Sequence, residues 1–120
     1  MKEDTVYLRH IFEMIHRIEE NTRQGKEVFM ASHTLQDAVL RNLQTMTETT
    51  QRLSEGLKAT RPDVEWAKIA AFRNVLVHDY LGIDLDRIWD IVQNDVPRLK
   101  TAILEMLKGT AEGPRVDSTA

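Results

Sequence analysis

The chain reads as all-α, an up-and-down bundle of four to five helices. Apolar residues recur every three or four positions through most of its 120 residues. No strand-like alternation bounded by hairpin turns interrupts them. The breaks between periodic stretches are short and carry capping and turn residues, as the connections of a bundle do.

The first helix is expected to start at Asp4 as N-cap, with Leu8, Ile11, Ile15 and Ile18 at helical spacing. Gly25 suits the position just past its end. A short helical turn over Lys26 to Ala31 is expected to supply Val28 and Phe29 to the core. Ser32 is the next N-cap candidate. The helix after it carries Leu35, Val39, Leu43, Met46, Thr50 and Leu53 on one stripe, with Gly56 near its end. Arg61-Pro62-Asp63 is the clearest break: Pro62 disfavours helix at the residue before it, and Asp63 can cap the next helix. The third long helix carries Trp66, Ile69, Phe72 and Leu76 and ends near Tyr80, with Gly82 beyond. Asp84 caps the fourth, whose stripe is Leu85, Ile88, Trp89, Val92, Leu99, Ile103 and Met106. Pro97 inside that stripe lacks a backbone donor and should kink or split the helix at Asn94-Asp95. The helical domain is thus 1–108, and 109–120 is a small, polar, flexible tail.

A chain of this length is one domain with room for a single core. It has no cysteine, so it forms no disulfide and no thiolate metal site. Its net charge is −3, so no bulk positive field draws in nucleic acid. Contact with RNA would need a local patch, which dimerisation could concentrate. The opening MKEDTVYLRH has charges and no apolar leader core, and no apolar run approaches the length of a membrane span. A cytoplasmic protein without membrane contact is expected.

The one dense cluster of polar chemistry is RNVLVHDY, Arg73 to Tyr80. Arg carries a permanent charge and a fork of donors suited to phosphate. His is the side chain whose ordinary pKa lies nearest working pH. Tyr adds a phenolic oxygen. Asn74 and His78 share a helix face at i,i+4, so Asn74 can orient the imidazole or touch a phosphate. Arg73 and His78 are five apart, about 140° around a regular helix, yet Arg is long and the two heads can converge on a groove beside the helix, especially if His78 lies in a loosened last turn. A bland reading stands beside this one: His78 caps the helix C-terminus, Arg73 is a solvated charge and Tyr80 is a core aromatic. No two histidines have i,i+4 spacing, so no metal site is expected, and no cofactor. Arg41-Asn42 is either an exposed edge or a second polar shell near the cluster.

RNVLVHDY matches the Arg-x4–6-His motif of HEPN domains and more closely the Arg-x4-His-x-Tyr motif of their HepT-like toxin branch. The stretches DTVYLRHIFEMIHRIEE, LQDAVLRNLQ, RPDVEWAKIAAFRNVLVHDYLGIDLDRIWDIV and DVPRLK also resemble that family. One departure is visible: relatives often have Gly-Glu in the second helix, whereas Thr47 precedes Glu48 here, and Glu48 receives no role. The resemblance implies an all-helical homodimer that is a metal-independent endoribonuclease. It implies the toxin of a type VII-like toxin–antitoxin pair, whose partner is a minimal nucleotidyltransferase of the MNT type (MntA-like). On this sequence Arg73 and His78 take the catalytic positions, Asn74 the accessory one, and Tyr80 the position where AMP is added. A HEPN fold that binds a nucleotide or partner without catalysis is the alternative.

Overall fold

The computed structural model describes residues 2–110; of Lys2 and Tyr80 the backbone alone is described. The tail expected over 109–120 lies outside the described residues from 111 onward. The described residues hold helices and connecting turns and no strand. They form α1 Lys2–Thr22, α2 Lys26–Met30, α3 His33–Thr50, α4 Glu55–Ala59 and α5 Trp66–His78. A 3-10 turn Tyr80–Gly82 comes next, then α6 Leu85–Asp90, a π-helical turn Ile91–Asp95 and α7 Val96–Lys108. Among the described residues, no helix is long and apolar enough to cross a membrane.

The apolar stripes read from the sequence make the core. Leu8, Ile11, Ile15 and Ile18 of α1, Val39 and Leu43 of α3 and Ile103 of α7 have no exposed surface. α1 packs against both α3 and α7. The lower half of α3, TMTETT, buries hydroxyls without orphaning them. Thr47 and Thr50 donate to the carbonyls of Gln44 and Thr47, at 2.9 and 2.7 Å, the local bond that lets a threonine sit inside a helix.

Asp4 does not cap α1. The helix opens at Lys2, and the buried Asp4 carboxylate accepts from Ser54 instead, from its backbone N at 2.8 Å and its Oγ at 2.6 Å. Ser54 in turn accepts from Leu57 N and caps α4. This link sets α1 antiparallel to α3, as does the 2.9 Å approach of His10 Nδ1 to Thr49 Oγ1. Gly25 has φ of 100°, which glycine adopts without strain, and so turns the chain from α1 into α2. Phe29 of α2 is buried and packs on Trp89, with ring centroids 5.4 Å apart. Val28 is exposed, contrary to expectation, because a five-residue helix turns only one side to the core. Ser32 and Asp84 cap α3 and α6 as read from the sequence.

The turn before α5 is held by Arg61. Its Nε and Nη2 donate to the two oxygens of Asp63 at 2.9 and 2.7 Å, and its Nη1 donates to Glu105 of α7 at 2.8 Å. Asp63 therefore serves this clamp and does not cap α5, whose N-cap residue is Glu65 without a side-chain bond. The guanidinium holds the Asp63 carboxyl below the usual carboxylate range, chiefly through the hydrogen bond. Trp66 donates its indole N–H to the carbonyls of Lys58 and Arg61, both at 3.1 Å, and so anchors the start of α5 at this turn.

Pro97 does not split the helix at Asn94-Asp95: Ile91, Asp95 and Val96 keep helical φ and ψ, and the disturbance is a π-helical turn just ahead of the proline. A proline ring crowds the carbonyl four residues before it. The turn Ile91–Asp95 widens to π geometry there, and α7 continues from Val96 with proline in its first turn.

Candidate functional site

α5 has apolar residues on more than one side. Leu76 is its one buried residue, and α3 is its principal helix neighbour. Val75 is 45% exposed, Ala67 and Ala71 are exposed, and Leu81 in the following turn is 99% exposed. An apolar surface of this kind on a helix ordinarily marks a contact. Between α5 and α7, over α3, lies a groove of about 630 Å³ with Met46, Ile69, Phe72 and Leu99 among its lining residues and Lys68, Arg87 and Arg98 at its exposed edge.

Arg73 leaves α5 toward α3. Its Nη2 donates to Glu48 Oε2 at 3.4 Å and its Nη1 to Asn74 Oδ1 at 3.2 Å. The Arg73 and Glu48 side chains are 30% and 38% exposed, so solvent reaches both. Bonds between charged groups commonly run near 2.7–2.9 Å, so this pairing is loose. Arg73 Nε is buried and has no acceptor. An incompletely satisfied guanidinium of this kind can exchange Glu48 for a better anion.

His78 is exposed and is the last residue of α5. Asp79 closes the helix, its N–H donating to Val75 O, and the chain then enters the 3-10 turn that Tyr80 opens. A Cβ at Gly82 in that turn would meet only the Asp79 carboxylate, 2.6 Å from its Oδ1, and the exposed Asp79 side chain would have to move aside. The structure thus joins Arg73 to Asn74 and leaves His78 exposed, with no hydrogen bond to either.

Glu48 is the site residue that sequence reading passed over. Its partner lies 25 positions away on another helix, and no local pattern encodes such a pairing. The one available signal was the polar edge of α3, where Arg41, Gln44, Thr45 and Glu48 recur at helical spacing beside the apolar stripe. Among the described residues, no three His, Asp or Glu side chains come together as a metal-holding group.

Fold and cluster together define an all-helical protein with an arginine–asparagine pair and a histidine toward the end of one helix. The model of the family described as ribonuclease HepT-like matches residues 11–106, and the chain belongs to that family. A Methanocaldococcus jannaschii protein named "Gamma-glutamylcyclotransferase and putative RNase" is 35% identical over 108 residues, covering 89% of this chain. The match takes in 49% of that protein, so the chain spans about half its length. A Thermococcus cleftensis protein named "Probable ribonuclease HepT" is 36% identical over 95 residues, covering 78% of this chain and 86% of the relative. No solved structure matches the chain.

Proposed function

We propose that this protein is a metal-independent endoribonuclease, acting in the cytoplasm as the toxin of a toxin–antitoxin pair. The observation that carries the reading is the loosely held, half-exposed Arg73–Asn74 pair on the helix that ends in an exposed His78. Family membership and the names of the relatives support it. In the reaction, a base takes the proton from an RNA 2′-hydroxyl. The resulting oxygen attacks the adjacent phosphorus. An acid protonates the departing 5′-oxygen, which leaves a 2′,3′-cyclic phosphate. Arg73 stabilises the charge that builds on the phosphorane oxygens. Asn74 orients Arg73 through its Oδ1. His78 carries a proton.

One histidine cannot be base and acid in a single step. A two-fold dimer supplies a second copy of the same patch. The unpartnered apolar side of α5, with Val75 and Leu81, supports a seam at this place. We therefore read the up-and-down bundle as a homodimer in which both copies of Arg73 and His78 meet across the seam, one His78 acting as base and the other as acid.

Tyr80 is the proposed acceptor of AMP from an MNT-type nucleotidyltransferase antitoxin. It lies two residues after His78 and opens the 3-10 turn at the end of α5. An AMP group there would bring an anionic phosphate and a bulky nucleoside to the end of the helix that carries the cluster.

The test is incubation of purified protein with RNA in EDTA beside Arg73→Ala and His78→Ala. Cleavage that persists in EDTA, ends in cyclic phosphate and is lost in both variants is the expected result. Abolition by EDTA with rescue by Mg²⁺ overturns the mechanism. Co-expression with the transferase, read by intact mass, tests the modification. An AMP-sized increment retained in Tyr80→Phe places it elsewhere.

A further inference from the structure

We propose that Arg41 forms a second phosphate subsite, holding a backbone phosphate of single-stranded RNA near the one held by Arg73. The proposal rests on the RNA-cleaving reading of the Arg73–His78 cluster.

Arg41 stands seven residues before Glu48 on α3. Seven residues of α-helix turn through about 700°, which leaves the two side chains within about 20° of one line along the helix. Glu48, on that line, reaches Arg73 of α5. The line is therefore the edge of α3 that faces α5.

The direction of α5 is set by its two ends. Trp66 at its start bonds the carbonyls of Lys58 and Arg61, in the segment after the C-terminal end of α3. Beyond its other end comes α6, whose Asp86 pairs with Lys26 at 3.0 Å, ahead of the N-terminal end of α3. The two helices run antiparallel, so moving N-terminally along α3 from Glu48 is moving C-terminally along α5 from Arg73. At about 1.5 Å per residue, Arg41 lies about 10 Å past Glu48 and His78 about 7.5 Å past Arg73. Arg41 and His78 thus stand at nearly one level, with the Arg73–Glu48 pair a turn or two below.

Arg41 is exposed, and its guanidinium has no hydrogen bond or ion pair among the described residues; its backbone carbonyl accepts from Thr45 at 3.0 Å. Asp37, one turn earlier on the same edge, does not pair with it. Arg73, at the same α3–α5 seam, is by contrast tied to a carboxylate; Arg23, Arg52, Arg87 and Arg98 are exposed without an ion pair among the described residues but do not lie on the α3 edge that carries Glu48. The molecule therefore keeps an open guanidinium fork beside its polar cluster. A guanidinium takes two phosphate oxygens at once. A chain of net charge −3 must supply such attraction locally if RNA is to settle there.

The experiment compares wild type, Arg41→Ala, Arg41→Lys and Lys108→Ala, an exposed charge at the end of α7. Cleavage of a single-stranded RNA oligonucleotide is measured in EDTA across a range of salt. Binding is measured with the 2′-O-methyl version of the same oligonucleotide, which cannot be cleaved through its 2′-oxygen. Arg41→Ala should raise KM and Kd about tenfold and leave kcat within about twofold, as loss of one charged phosphate contact does. The salt dependence of binding should flatten by about 0.7 in log–log slope. Arg41→Lys should recover part of the loss, and Lys108→Ala should stay near wild type. A wild type that cleaves RNA while Arg41→Ala keeps its KM and salt slope overturns the subsite and leaves the ribonuclease reading standing. Equal losses in Arg41→Ala and Lys108→Ala also overturn it, because general charge then explains the effect. A wild type that neither binds nor cleaves RNA removes the ribonuclease reading and the subsite together.

Discussion

α1 and α5 are both helices with apolar residues at helical spacing, yet the protein treats them differently. α1 has α3 on one side and α7 on the other, and its Leu8, Ile11, Ile15 and Ile18 are sealed from solvent. α5 rests on α3, buries Leu76 alone, and shows solvent Val75, Asn74 and His78. The residues of the proposed site lie on the helix that is less finished. A helix sealed on every side could not bring an arginine and a histidine to a substrate. A helix without a rigid neighbour could not hold them in place. α3 resolves this by locking into α1 on one side and offering Glu48 to Arg73 on the other.

The largest effect separating the two regions is on stability. Ile15→Ala, in the sealed layer, should cost about 3–4 kcal/mol, read as a fall in the denaturant midpoint. An effect under about 1 kcal/mol would break the contrast. The next effect is on activity: Arg73→Ala and His78→Ala should each lower RNA cleavage at least about 100-fold. Their melting temperatures should stay near wild type, since His78 is exposed and Arg73 is partly exposed and only loosely paired. A large loss of stability in either would make the cluster structural. A third effect is on association. Leu81→Ser should shift sedimentation toward monomer and leave helical content unchanged; dimers of unaltered strength would move the seam elsewhere.

The smallest effect concerns the clamp at the start of α5. Arg61 holds the Asp63 carboxyl below the usual carboxylate range. A lowered folded value means that the pair stabilises the fold above the unfolded carboxyl's pKa. That contribution fades as pH falls through the folded value. Asp63→Asn should thus lower the melting temperature slightly at neutral pH and match wild type in acid, below the folded value. A difference that grows as pH falls would reverse the sign and refute the clamp. Amide exchange would sharpen the same contrast, with α5 opening more readily than α1.

The features legible in the sequence are those written within a turn or two of helix. The stripes of α1, α3 and α7, the Ser32 and Asp84 caps and the disturbance ahead of Pro97 all depend on neighbours three to five residues away. Asn74 is expected beside the His78 imidazole four residues on, and instead accepts from its neighbour Arg73. Asp4 and Asp63 mislead for one reason: a carboxylate near a helix start is a good cap until a distant or better donor claims it. Ser54 claims the first and Arg61 the second. Val28 misleads because five residues carry too little periodicity to say which side turns inward. Glu48 goes unassigned because its partner is set by how two helices meet. The level shared by Arg41 and His78 is likewise a property of packing, invisible until the direction of α5 is known.

Leu81 has a consequence for abundance. A leucine 99% exposed at the tip of a turn leaves apolar surface in water until something covers it. With another copy of the chain as the cover, completed sites rise as the square of protein concentration when copies are scarce. Halving the amount of protein would then remove about three quarters of the completed sites by that mass action. Expression level would set the output more steeply than in proportion, and a cell making little of this chain would hold it nearly silent before any modification of Tyr80.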